Sequence, residues 1–189
     1  MELLELMKHR RSIRKYEDRQ IDRADLEKVM EAGLYAPNAG GGQRSMIVAI
    51  HNPELVEKLG RLNVACMDRS RLIGSHVSAE QPSIIDDPSI KSGFYGAPTV
   101  CIVFAQKNFL YSIPDAFCCA ENMVLEATEL GLASCIIARG GKRPLPIRRG
   151  RHISGNGTFR RTMKQDALSY SVTVTEPIRR RNQGKPDEA

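Results

Sequence analysis

Two uninterrupted apolar runs, residues 99–105 (TVCIVFA) and 133–138 (ASCIIA), flank a stretch of helical spacing rich in small side chains, and this arrangement constrains the fold more than any other feature. Each run has the length of a strand and shows no polar alternation. The stretch between them starts near Ile113 to Asp115 and carries an inward stripe of Ala116, Cys119, Ala120, Met123, Val124, Ala127 and Leu130, closed by Gly131. Side chains this small let a second helix approach closely. With 189 residues, of which 41% are hydrophobic, the chain can build one domain with a real core but not two comfortable ones.

The earlier chain supplies the partners. Residues 2–9 have helical spacing, with Leu3, Leu6 and Met7 on one face, and they run into Arg10, Arg11 and Arg14 around Ser12. A second helix is expected from Asp22, a good N-cap with Asp25 three residues on. Its stripe is Leu26, Val29, Met30 and Gly33, and Pro37, Asn38 and the glycines at 40–42 stop it. Residues 45–51 read as a short buried strand and 53–61 as a helix. From 68 to 96 no period is sustained, and Pro82, Pro88 and Gly93 punctuate a long excursion expected to be mobile, of the kind that often covers sites. The five cysteines are odd in number and lack CxxC spacing, so they read as reduced thiols of a cytoplasmic protein. No signal peptide and no membrane-spanning helix are expected.

Two segments have the makings of a binding site. In HRRSIRKY, residues 9–16, three guanidiniums within five residues repel one another, and a bound anion such as phosphate explains the crowding. A solvated basic helix end is the other reading. In APNAGGGQ, residues 36–43, glycines let main-chain amides approach a ligand, and Gln43 offers a donor and an acceptor. Neither GxGxxG nor Walker spacing is present. No catalytic triad or metal site is visible: His9, His51, His76 and His152 are scattered, and Asp86 and Asp87 read as solvated loop acids.

The ordered set of RRSIRKY, a helix, APNAGGGQ leading into a strand, and a late GLASCIIA after a small-residue helix resembles the FMN-dependent nitroreductase family over about residues 1–140. The resemblance implies an α+β fold, a mixed or antiparallel sheet flanked by helices, and a homodimer with two flavin sites at its interface. It assigns the FMN phosphate and ribityl chain to Arg10, Arg11, Ser12 and Arg14. Pro37, Asn38, Ala39 and Gln43 are assigned to the neighbouring subunit's flavin, and Ile137 and Ala138 to the edge of the isoalloxazine. FMN is the implied cofactor and NADH or NADPH the reductant. Nitroaromatics, quinones or similar electrophiles are the implied acceptors, in a ping-pong cycle. The loop departs from the family's APSAGNxQPW: Asn38 stands for the serine, Gly41 for the asparagine, and Arg44 and Ser45 for the proline and tryptophan.

After Gly140 the texture changes. Residues 140–189 hold 12 Lys or Arg against 4 Asp or Glu, so the net charge of +6 comes entirely from this basic segment. Its one strand-like run, residues 167–175, has no obvious partner. The family's closing helix and Gly-Tyr strand are missing, and residues 141–189 are expected to be out of frame or disordered. In a frame shifted by one nucleotide, Met163 and Lys164 must encode Glu, and permitted codons read EWNIPENYEARCFVILGY, a helix followed by an apolar strand with a Gly-Tyr close. Two rival readings follow if the written tail is genuine: a nucleic-acid-binding protein, or a flavin fold without activity. The tail has neither aromatic interleaving nor a recognisable binding module, which argues against nucleic acid.

Overall fold

In the computed structural model, residues 1–65, 67, 74, 83–106 and 108–137 are described, together with the backbone of 168–175. Ala138, Cys66, His76, His152 and the rest of the segment after Gly140 lie outside the described residues.

The elements follow the patterning closely. Helices α1 (Leu3–His9) and α2 (Arg23–Leu34) precede strand β1 (Met46–Ile50) and helix α3 (Pro53–Ala65). Strand β2 (Val100–Ala105), helix α4 (Ser112–Glu129) and strand β3 (Ala133–Ile137) form the core unit expected from the two apolar runs, and β4 (Leu168–Thr175) completes the set. Every residue of β2 is buried, which explains its lack of alternation: both faces of the sheet are covered. On one face, Cys101, Val103 and Ala105 join Val29 of α2 and the α4 stripe. On the other, Val100, Ile102 and Phe104 join Val56 and Leu59 of α3, Phe94 and two residues of β3.

Helices α2 and α4 approach as closely as their small side chains suggested. A Cβ at Gly33 would sit 2.7 Å from Cγ of Met123, 2.8 Å from Cδ1 of Ile47 and 3.0 Å from Sγ of Cys119, so this crossing admits nothing larger than hydrogen.

The sheet is four-stranded and antiparallel, in the order β1-β2-β4-β3. This corrects the expectation for the run at 167–175. Residues 168–175 have partners on both sides, with Thr173 opposite Val100 and Cys135, and Ser171 opposite Ile102 and Ile137. A second correction concerns the excursion. Its last part, from Ser83 onward, is folded into turns, and Ile84 and Phe94 are fully buried. Asp86 accepts from the Ser83 amide and Asp87 from the Ser89 amide, so both acids serve local turns.

Candidate functional site

A short parallel contact brings the basic cluster to the sheet. Ser12 forms a bridge with Ser134, and the Ile13 amide donates to the Ser134 carbonyl at 3.0 Å. The segment leaving α1 thus lies along the free edge of β3. Arg10, Ser12 and Arg14 thereby surround Cys135, one residue further on. Burial pushes the Cys135 thiol up, against the charge of Arg14, a hydrogen bond from Ser12 and the charge of Arg10. Ile137 lies two residues along the same strand. Arg11 stands apart: its side chain is exposed, and its Nη1 donates to the carbonyls of Lys8 at 2.6 Å and Arg10 at 2.9 Å, at the end of α1.

The proline loop is built by its own hydrogen bonds. Asn38 Oδ1 accepts the Gln43 amide at 2.8 Å, and Asn38 Nδ2 donates to the Ala36 carbonyl at 3.3 Å. Between them Gly40 and Gly41 take φ of +62° and +61°, where a side chain would be strained. Gln43 itself has φ +42°. Pro37 and Gln43 are exposed, and Asn38 and Ala39 half-buried.

Asp115, in the first turn of α4, is the residue that sequence reasoning missed here. Its Oδ1 accepts the Ala39 amide at 3.1 Å, anchoring the loop, while its Oδ2 is buried with no hydrogen-bond partner among the described residues. It passed for one more helix-start acid, and only the fold shows that α4 begins beneath the loop. The small pocket over it, lined by Ala36, Asn38, Gln43, Ser45, Asp115 and Cys119 among others, has a volume of about 20 Å³. That is room for a water molecule and far too little for a fused aromatic ring system.

The two candidate clusters do not meet within one chain. The basic cluster lies along β3 and the proline loop enters β1, which are the opposite edges of the sheet. They also lie at opposite ends of it: Met46 is level with Phe104, whereas Cys135 is level with Thr173, Val100 and Ile50. Three strand spacings across and about five residues along put them roughly 20 Å apart. Arg44 adds a cation beside the loop, its Nη1 on the Ala39 carbonyl at 3.1 Å and its Cζ 4.5 Å from the Phe109 ring centroid. Among the described residues no helix is long and apolar enough to cross a membrane.

Comparison with known proteins gives a consistent result. The Nitroreductase family profile matches residues 7–140. A putative NADH dehydrogenase/NAD(P)H nitroreductase of Archaeoglobus fulgidus is 40% identical over 58 residues, which are 31% of this chain and 33% of that protein. The chain therefore matches only about a third of that curated relative's length. Among solved structures, a Bacteroides fragilis nitroreductase with bound FMN superposes with TM-score 0.69 at 25% identity, covering 100% of this chain and 96% of the other. A Desulfitobacterium hafniense nitroreductase with bound FMN gives TM-score 0.67 at 19% identity, over 99% and 95% of the two chains, and shares the fold.

Proposed function

Because this chain belongs to the nitroreductase family, we propose that it is an FMN-dependent oxidoreductase, acting as a homodimer on small electrophiles. The observation that carries the reading is the contact of Ser12 with Ser134, which gathers Arg10, Ser12 and Arg14 at one strand edge. Two guanidiniums and a hydroxyl make a donor set suited to a phosphate monoester, since Arg binds phosphate through a planar fork and Ser adds a hydroxyl donor. Ile137 and Ala138 then run beside the isoalloxazine. Pro37, Asn38, Ala39 and Gln43, too distant within one chain, reach the flavin of the partner subunit. FMN, when bound, would supply the two-electron chemistry between NADH or NADPH and a nitroaromatic, quinone or similar acceptor, in a ping-pong cycle. The chain's own part is to hold the phosphate, present a backbone edge to the ring and narrow its surroundings with the partner's loop. Cysteines that lack CxxC spacing support a protein of a reducing, cytoplasmic setting.

The test is flavin affinity. Replacing Arg10 or Arg14 by Ala removes a charge-assisted contact worth roughly 1.5 to 3 kcal/mol, so FMN should bind about ten- to a hundredfold more weakly. Full affinity in both variants removes the phosphate assignment.

We also infer that residues 1–140 are the flavin-binding region and that residues 141–189 are written out of frame. What supports this is the slot that β4 occupies. Ser171 and Thr173 are registered against Val100, Ile102, Cys135 and Ile137, all buried in one apolar cluster. A central strand in that position calls for apolar residues on both faces. The shifted reading supplies CFVILGY there. Sequencing the gene around the codons of Gly140 and Gly141 decides it: nucleotides unable to encode the shifted string end the idea.

A further inference from the structure

Arg14 has a neighbour that no sequence motif singled out. Its Cζ lies 5.7 Å from the centroid of the Tyr95 ring, within the range in which a cation is drawn to the negative face of an aromatic. Tyr95 is also held in an uncommon conformation. Its φ is +55°, in the left-handed region that a bulky side chain seldom enters, and Gly96 follows at +74°. The surroundings impose this. Phe94 on one side is fully buried and Ala97 on the other nearly so, and the turn is closed by Gly93 donating to the Gly60 carbonyl at 2.9 Å and Ala97 to that of Phe94 at 3.0 Å. Strain of this kind persists where the fold over-determines the position, and such positions cluster at functional sites.

Arg14 is a long side chain with many rotamers, and a binding site gains when those are restricted before the ligand arrives. We propose that Tyr95 is a positioning residue for the phosphate site: its ring holds the Arg14 guanidinium in place and so sets the preference for the phosphorylated flavin over riboflavin. The proposal rests on the phosphate assignment made above. Tyr95 acts through Arg14, so its contribution belongs to the phosphate end of the ligand and not to the ring system that both flavins share.

The experiment compares dissociation constants for FMN and riboflavin, by quenching of flavin fluorescence, in the parent chain and in Arg14→Ala, Tyr95→Leu and Tyr95→Phe. The parent should prefer FMN. Arg14→Ala should reduce that preference about ten- to a hundredfold. Tyr95→Leu should reduce it about three- to thirtyfold, with riboflavin affinity unchanged, and Tyr95→Phe, which keeps the ring, should restore it. If Tyr95→Leu does not fold, Tyr95→Gly removes the ring and relieves the backbone strain, with the same expectation. A preference lost in Arg14→Ala but intact without the Tyr95 ring overturns the positioning role alone. So does an equal weakening of both flavins, which marks Tyr95 as packing. An unchanged preference in Arg14→Ala overturns the phosphate assignment and this proposal with it.

Discussion

Removing hydroxyls from β4 should make the written chain more stable, the reverse of what most core substitutions do. Thr173 is registered opposite Val100 and Cys135, and Ser171 opposite Ile102 and Ile137. None of these four neighbours is more than 7% exposed. Residues directly opposite one another share a face of the sheet, so these two register positions belong to a face whose neighbours are apolar and call for apolar residues. A hydroxyl taken from water into such surroundings without a hydrogen bond costs about 1 to 3 kcal/mol. Thr173→Val exchanges hydroxyl for methyl at nearly constant volume, and Ser171→Ala deletes one. Together they should gain about 2 to 4 kcal/mol, an upward shift in Tm on the order of 5 to 15 °C for a chain of this size. The control lies on the alternate row: Val172, opposite Cys101 and Ile136, should destabilise by about 1 to 3 kcal/mol when changed to Thr. Urea and thermal melts at fixed protein concentration give the comparison. A double variant no more stable than its parent would mean that the hydroxyls are satisfied where they stand, and the argument that this slot calls for apolar residues would fall.

Other sites give independent checks. Asp115→Ala removes the acceptor of the Ala39 amide, so the proline loop should loosen and FMN affinity fall by roughly fivefold, about 1 kcal/mol, in an equilibrium titration, with little change in the melt. Gly33→Val forces side-chain carbon into the crossing of α2 and α4 beside Met123, Ile47 and Cys119, and should lower stability by about 1 to 3 kcal/mol in a urea melt. Burial pushes the thiols of Cys101 and Cys119 up to about 12 from 9.0. Because the folded thiols keep protons that the unfolded ones release, the stability they contribute is complete below pH 9.0 and is lost as the pH rises toward 12. Melts above pH 9 should show that loss, and Cys101→Ala with Cys119→Ala should flatten it.

The helices and three of the strands were legible, the helices because their burial is periodic and β1, β2 and β3 because each is a short apolar run. The α4 stripe of Ala116, Cys119, Ala120, Met123, Val124 and Ala127 is buried throughout, and Leu26, Val29 and Gly33 of α2 face it. The packing of residues 83–97 was not legible, because Ile84 and Phe94 enter the core from turns, where no period announces them. The place of β4 was hidden for another reason: its Ser and Thr alternation reads as a half-polar strand, while its position is between two buried strands. At the site, the basic cluster could be picked out by composition, but its seat beside Cys135 depends on the contact of Ser12 with Ser134, which lies far along the chain. Tyr95 and Asp115 carry no local signature. One is a tyrosine between Phe94 and Gly96 and the other an acid in a helix's first turn, and both acquire a role only from what the fold sets against them.

A chain that holds FMN where electrons can reach it must bind the flavin and let it be reduced and reoxidised. The most direct measurement is an absorbance titration of the purified chain mixed with FMN, separated from free flavin, and then treated anaerobically with NADH or NADPH followed by a quinone. The protein should elute yellow, lose the flavin bands on addition of the nicotinamide and regain them with the quinone. Protein that elutes colourless after incubation with FMN, or yellow protein whose bands neither nicotinamide changes, would contradict this expectation.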